Sequence, residues 1–188
     1  MAIKLKRTAN NAVSMLKADH EKVKELFDKF EKATTVAAKK KIAAEALGEL
    51  KIHATIEEEY FYPAMRQQIE DKEGIMEEAD EEHHVAKVLI AELDAMNGSE
   101  DHWEAKFMVL AENIRHHIKE EESDMFKKAK ATDIDFEALG SSMAQLKRTL
   151  KKDGVPPDAE ARMVKNSGLR GDSPARKAQK TIVVPLNA

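Results

Sequence analysis

The stretch HATIEEEYFYP, from His53 to Pro63, carries the pattern that decides the fold of this 188-residue chain. His53 and Glu57 are four residues apart, so a helix places both side chains on one face, one turn from each other. An imidazole and a carboxylate on the same face make half of a transition-metal site. Pro63 has no backbone N–H, so we expect the helix to kink or end there.

A second copy of this pattern lies further along the chain. His117 and Glu121 repeat the four-residue spacing, and an acidic run follows them as it follows the first pair. In both copies an aromatic residue, Tyr62 or Phe126, lies nine positions after the histidine. The two stretches therefore form an internal repeat.

A lone histidine precedes each pair, in the middle of an apolar helix face. His20 lies 33 residues before His53, and His83 lies 34 residues before His117. Apolar residues recur at steps of three and four around both lone histidines, which predicts helices with one buried face. We therefore predict an all-α protein, an antiparallel up-down four-helix bundle that gathers four histidines and two glutamates in its interior.

The same periodicity gives the approximate extent of five helices. They are expected at 11–32, from 36 to about 63, and at 75–96, 100–130 and 133–152. Thr35 is expected to cap the second helix. The fifth helix has an apolar stripe without a metal-type residue, so we interpret it as an additional packing helix.

The composition changes near the end of this helical region. Residues 1–152 are expected to form the bundle, and 153–188 a basic, Pro- and Gly-containing tail that is largely irregular. From Lys151 onward there are eight Lys or Arg against four Asp or Glu. The apolar patch Thr181–Val184 is suited to dock on the bundle, on a second chain or on a protein partner.

Composition also excludes several classes of function. The chain has no cysteine, which excludes disulfides, thiolate metal sites and thiol redox chemistry. Its net charge of −4 argues against general nucleic-acid binding. It has no signal-like segment and no apolar run near the roughly 20 residues of a membrane span, so we expect a cytoplasmic protein without membrane contact.

The donor set points to a pair of cations. Four imidazoles and two carboxylates carry a formal charge of −2, which suits two divalent or trivalent ions. Such a thiolate-free set favours Fe, Mn, Zn or Cu over Mg or Ca. If both carboxylates bridge, each octahedral iron keeps about two positions for an oxo or hydroxo bridge and an external ligand.

Some neighbouring residues are candidates for an extra ligand or for a place beside the ligands. Tyr60 lies three residues after Glu57, so we expect it to point into the bundle as core, as a hydrogen-bond donor or as an iron ligand. Asp124 is its counterpart in the second copy, unless it is simply a solvated charge. His84 and His116 adjoin two predicted ligands and are expected at the surface or next to the site. The other acidic residues of the two runs are expected to face solvent: Glu58, Glu59, Glu120 and Glu122.

Over residues 10–150 the chain resembles the bacterial hemerythrin-like proteins with an HHE cation-binding domain. The segments LKADHEKVKELF, EEHHVAKVLIAEL and HHIKEEESDMF are similar to helices of that family. The resemblance implies a non-heme di-iron centre, with two iron ions, that reacts with O2, NO or peroxide. Its ligands, carried over position by position, are His20, His53, Glu57, His83, His117 and Glu121.

The chain departs from the oxygen carriers of that family in two ways. Those carriers have a fifth histidine on the third helix, where this chain has Lys87, and a wider His-to-Asp spacing on the fourth. The set of four His and two Glu is closer to di-iron repair proteins that protect iron centres from NO, although their cysteine-bearing extension is absent here. Both departures argue against a dedicated O2-storage role.

The resulting hypothesis is a di-iron protein that binds and redox-handles a small ligand, as in defence against oxidative stress or NO. Catalase-like or NO-reducing turnover stays open, because no residue in the sequence establishes it. The alternatives are an iron donor or a redox or O2 sensor that acts through a partner, and a bundle whose metal is only structural.

Overall fold

The computed structural model describes residues 11–71 and 73–167, and within them it contains helices and turns but no strand. The all-α prediction is confirmed. The helices are α1 (Ala12–Lys32), α2 (Val36–Ile56), α3 (Tyr62–Gln68), α4 (Ile75–Asp94), α5 (Trp103–Glu120), α6 (Phe126–Ala129), α7 (Phe136–Asp153) and α8 (Ala159–Ser167). A first π turn, Glu57–Phe61, joins α2 to α3, and a second, Glu121–Met125, joins α5 to α6.

Side-chain caps explain where the first two helices begin. The Asn11 side chain accepts a hydrogen bond from the Ser14 N–H at the start of α1. The Thr35 hydroxyl accepts one from the Ala38 N–H at 3.2 Å, which confirms the predicted cap of α2. Each cap satisfies a backbone donor that the first helical turn leaves without a partner.

The helices enclose two hydrophobic clusters. Helix α1 packs against α2 and α4 against α5, while α7 lies on α1 and α2. One cluster is built around the aromatic rings of Phe27, Phe30, Trp103 and Phe107. The other is built around Phe61, Tyr62, Met65 and Phe126. Along α1, α2 and α4, the buried histidines fall where residues of one cluster give way to residues of the other.

The helical path does not end at Pro63, so of the two expected outcomes, a kink or an end, the structure excludes the end. Helix α2 gives way to the π turn, in which the Tyr62 N–H donates to the Glu57 carbonyl five residues earlier. Pro63 then lies in the first turn of α3, where a missing N–H is tolerated. The chain continues as a helix to Gln68.

Within the predicted tail, residues 159–167 form helix α8. The Asp158 side chain accepts a hydrogen bond from the Ala161 N–H, and α8 packs on α4. The patch Thr181–Val184 lies outside the described residues. None of the described helices combines the length and the apolar character needed to cross a bilayer.

Candidate metal centre

The structure brings the six predicted ligands together in the interior. Each of them is at most 6% exposed. Helices α1, α2, α4 and α5 each contribute one buried histidine, and the first residue of each π turn is a glutamate: His20, His53, His83, His117, Glu57 and Glu121.

Four of these side chains form a first group of donor atoms. The Nε2 atoms of His20 and His53 are 3.2 Å apart. Glu57 Oε1 lies 3.2 Å from His53 Nε2, and Glu121 Oε2 lies 3.1 Å from His20 Nε2. Both π-turn glutamates therefore contribute to this group. Glu57 belongs to the same half of the repeat as His20 and His53, whereas Glu121 belongs to the other half.

A second group shares Glu57 with the first. Its other oxygen, Oε2, lies 3.4 Å from His83 Nε2. The Nε2 atoms of His83 and His117 are 3.3 Å apart. Glu57 thus directs one carboxylate oxygen at each group, which is the arrangement that a bridging carboxylate requires.

The residues present fit a pair of metal ions. Both oxygens of Glu57 and both oxygens of Glu121 are buried, and they have no hydrogen-bond partner among the residues that the structure describes. A buried carboxylate with no partner is costly, and a bound cation removes that cost. Two ligand atoms that are each about 2.1 Å from the same metal ion, with an angle of about 90° between their bonds to it, lie about 3 Å apart. The spacings of 3.1 to 3.4 Å in both groups agree with that value.

A carboxylate stands at the outer nitrogen of every one of the four histidines. The Nδ1–H groups of three of them donate to acidic side chains: His20 to Glu122 at 2.9 Å, His83 to Glu58 at 2.9 Å and His117 to Glu82 at 2.7 Å. At the fourth, Asp19 Oδ2 lies 3.8 Å from His53 Nδ1. An ionised carboxylate only accepts hydrogen bonds, so Nδ1 of these three histidines carries a proton and Nε2 is the nitrogen that faces the interior.

Glu58 is exposed, as expected, and Glu122 is partly buried, but both carboxylates also contact a histidine of the centre. Each follows a ligand glutamate by one residue, and each hydrogen-bonds to a histidine from the other half of the repeat. A signal for them was present in the sequence, since an acidic residue follows the glutamate in both copies. An acidic residue also precedes both lone histidines, and these are Asp19 and Glu82.

The predicted inward orientation of Tyr60 is wrong, and Tyr62 is the tyrosine that points into the bundle. Tyr60 is 36% exposed, whereas Tyr62 is fully buried. The reason is the π turn, in which hydrogen bonds span five residues instead of four, so that the residue five after Glu57 faces the same way as Glu57. The Tyr62 hydroxyl lies 3.1 Å from His83 Nε2. In the second copy Phe126 has the equivalent position. Its ring stacks on the His20 ring, with 5.9 Å between the two ring centroids.

The structure does not bring the three other candidates into the centre. Asp124 is exposed, and its carboxylate accepts a hydrogen bond from Ser123. His84 lies at the surface, with Nδ1 2.8 Å from Glu160 Oε1 of α8. His116 is exposed and lies 3.1 Å from Glu120.

Charges within the centre shift the pKa values of its groups. Burial lowers the pKa of His53, but the charge of Glu57 and a contact with Asp19 outweigh it and raise the value to about 10. Burial likewise lowers the pKa of His83, while Glu57 and Glu58 raise it to about 9. Burial together with the nearby glutamates raises the pKa of the Tyr62 phenol well above its ordinary value. Without a cation, the centre therefore holds protons that a metal must displace.

A small cavity adjoins the centre. Its volume is about 20 Å³. Its lining consists of the four histidines, Lys87 and apolar side chains that include Val23, Leu50, Ile90 and Ile114. The space is therefore narrow, mostly apolar and next to the inward-facing nitrogens.

Comparison with known proteins agrees with this geometry. The profile of the hemerythrin HHE cation binding domain matches residues 11–129, which include all six buried donors. A DNA nickase from Nostoc sp. (strain PCC 7120 / SAG 25.82 / UTEX 2576) is 27% identical over 116 residues, which is 62% of this chain and 32% of the nickase. The chain thus spans about a third of that relative's length. No solved structure matches. Because the family profile covers more than half of its residues, the chain belongs to the hemerythrin HHE cation-binding domain family.

Proposed function

We propose that the chain is a non-heme di-iron protein that binds and redox-handles O2, NO or peroxide, with its main helices arranged as an antiparallel four-helix bundle. The observation that carries the proposal is the position of Glu57 between two groups of buried donors. One cation would be held by His20, His53, Glu57 and Glu121, and the other by Glu57, His83 and His117.

The nature of the donors supports iron. Imidazole nitrogens and carboxylate oxygens without thiolate suit first-row transition metals, and a carboxylate-bridged pair suits ions that change oxidation state together. When bound, an iron pair supplies reversible redox chemistry and an open coordination position for a ligand. Membership of a cation-binding family agrees with this choice.

The adjoining cavity supports a ligand of very few atoms. A cavity needs about 10–15 Å³ to accommodate one water molecule. The volume of about 20 Å³ therefore leaves room for a diatomic molecule or a peroxide. Its apolar walls favour an uncharged guest such as O2 or NO.

The protein's own side chains orient the donors and limit access of water. Carboxylates at Nδ1 hold each imidazole ring and increase the basicity of its inward nitrogen. Glu58 and Glu82 do this for His83 and His117 at 2.9 and 2.7 Å. The burial of all six donors keeps bulk water away from the reacting ligand.

The test is a metal analysis followed by ligand titration. The purified protein should contain about two irons per chain and show near-ultraviolet charge-transfer absorption. The ferrous protein should then change its spectrum with stoichiometric NO, O2 or peroxide, and repeated additions should distinguish turnover from simple binding. A single zinc or a spectrum without charge transfer would contradict the redox proposal and leave a structural metal bundle.

A second candidate, a redox or O2 sensor, is favoured by a chain of contacts from α8 to the centre. Glu160 of α8 lies 2.8 Å from His84 and 3.8 Å from Lys87. Lys87 pairs with Glu58 at 3.0 Å, and Glu58 binds His83. A sensor should protect α8 from protease in only one redox state. Equal protection in both states would contradict it, and iron transfer to an acceptor protein would indicate a donor instead.

DNA cleavage is not part of the proposal. The match to the nickase covers only 32% of that protein. The net charge of −4 also provides no electrostatic attraction to a phosphate backbone.

A further inference from the structure

The two donor groups differ in size, and Tyr62 lies where the smaller one is incomplete. The first group has four side chains, whereas the second has three. The Tyr62 hydroxyl lies 3.1 Å from His83 Nε2 and 3.5 Å from His117 Nε2. These distances resemble the 3.3 Å between the two imidazole nitrogens themselves. The phenol oxygen is thus spaced like another donor to the same ion.

The hydrogen-bonding capacity of the two histidines supports the same role. Their Nδ1–H groups donate to Glu58 and Glu82, so Nε2 is the nitrogen of each ring that faces Tyr62. A cation at Nε2 uses the lone pair of that nitrogen. The hydroxyl of a fully buried Tyr62 would then lose both of the acceptors that it has within the described residues. Coordination of the oxygen to that cation removes the conflict.

We propose that Tyr62 is the fourth protein ligand of the cation held by Glu57, His83 and His117, and that it binds through its phenolate oxygen. On binding, the phenolic O–H bond breaks, its proton passes to solvent, and an oxygen–metal bond forms. This inference rests on the proposed two-metal site. It makes the two sites chemically different, because the first group has the carboxylate of Glu121 where the second has a phenolate.

The internal repeat supplies a natural comparison for this role. Phe126 occupies the position of Tyr62 in the second copy, five residues after Glu121. Phenylalanine has no oxygen to offer, and its ring stacks on His20 instead. Tyr62→Phe therefore replaces Tyr62 with the residue that the other half of the molecule already accommodates beside a histidine.

The experiment is resonance Raman and visible absorption spectroscopy of the ferric protein, loaded with ferrous iron and oxidised in air. A phenolate bound to ferric iron produces a visible charge-transfer band, and excitation in that band enhances phenolate ring vibrations. The chain has only two tyrosines, Tyr60 and Tyr62, so the band has only two candidate sources. The exposed Tyr60 provides the matched control through Tyr60→Phe.

The expected result is a phenolate signal in the wild type and in Tyr60→Phe that is absent from Tyr62→Phe. We also expect Tyr62→Phe to bind the iron of the second donor group at least tenfold more weakly than the iron of the first. Competition with a chelator measures the two affinities. A wild type with two irons and no phenolate vibrations would overturn the inference while leaving the di-iron proposal intact. A wild type without two irons would instead overturn the proposed function. The wild-type spectrum decides the matter even if Tyr62→Phe does not fold.

Discussion

Glu58 Oε1 lies 2.9 Å from His83 Nδ1 and accepts the hydrogen bond that orients this imidazole. Glu58 is contributed by the first π turn and His83 by α4, so the contact joins the two halves of the repeat. Burial raises the pKa of Glu58, but the contacts with His83 and Lys87 outweigh it and lower the pKa below its ordinary value. The carboxylate is therefore charged at neutral pH.

Removal of that charge should weaken the metal centre. We expect Glu58→Gln to lower iron affinity by about 10-fold to 100-fold, because the amide is a poorer partner for the Nδ1–H. A chelator competition assay measures the change. Glu59→Gln is the matched control, since Glu59 is the next residue and is exposed. Equal affinities in the two variants would contradict the role of Glu58.

The two buried glutamates should determine how much metal is bound. Glu57→Ala and Glu121→Ala are each expected to lower metal content by at least one equivalent, because both carboxylates are buried among the donor atoms and have no hydrogen-bond partner in the described part of the chain. Elemental analysis per folded chain measures this loss. The exposed Glu59→Ala should retain the full content. Full occupancy in both Glu57→Ala and Glu121→Ala would exclude the bridging arrangement.

The adjacent histidine pairs allow a test of helix register. His84→Ala and His116→Ala should keep both metals, because these side chains lie at the surface. His83→Ala and His117→Ala should each lose at least one metal, since their Nε2 atoms form part of the second donor group. Metal analysis of the four variants under identical loading gives the comparison. Metal loss in either surface variant would mean that the register is displaced by one residue.

Metal binding should release protons and tighten as pH rises. In the metal-free protein the pKa values of His53 and His83 are raised to about 10 and about 9, so both imidazoles are protonated at pH 7. A cation must displace those protons, and its apparent affinity should increase between pH 7 and pH 9. Calorimetry in buffers of different ionisation enthalpy should detect at least two released protons.

The same raised pKa values fix the sign of the stability change in the metal-free protein. Protonated His53 and His83 stabilise the fold fully below the unfolded pKa of about 6.5. That contribution is lost as pH rises through about 9 to 10. Chelator-treated protein should therefore be less stable to urea at pH 10 than at pH 6.5. Metal binding without proton release, together with equal stability of the metal-free protein at pH 6.5 and pH 10, would contradict the raised pKa values of His53 and His83.

The cluster at the α1–α5 contact should contribute strongly to stability. The Phe107 ring is fully buried, and its centroid lies 4.1 Å from the centroid of the Phe30 ring and 5.8 Å from that of the Phe27 ring. Phe107→Ala should reduce the free energy of unfolding by about 3–5 kcal/mol, because it leaves a cavity in the core. Val109→Ala, at an exposed position of the same helix, should change it by less than about 0.5 kcal/mol. Urea denaturation of both variants measures the difference.

The residues of the chain were sufficient to predict the helices and the central donors, because both depend on local spacing. A four-residue step places His53 above Glu57 on any α-helix, whatever packs against it. The duplication of that step at His117 and Glu121 then indicated that the two halves form one centre. The convergence of these side chains in the structure agrees with that reading.

The repeat also contains a pattern of acidic residues that helix periodicity does not explain. Acidic residues occur beside the ligands at corresponding places in both halves, as Asp19 and Glu82, and as Glu58 and Glu122. Periodicity alone assigns the latter two to the solvent face. Their partners are histidines on other helices, and a one-dimensional pattern does not identify such partners.

Only the tertiary structure decided which tyrosine faces the centre. A regular helix directs Tyr60 inward, because it lies three residues after Glu57. The π turn inserts one residue into that helix, so Tyr60 turns outward and Tyr62 reaches His83. A π turn is unfavourable by itself and persists where the surrounding contacts compensate for it. Those contacts come from distant parts of the chain, which is why local spacing determined the ligands but not the residue that lies beside them.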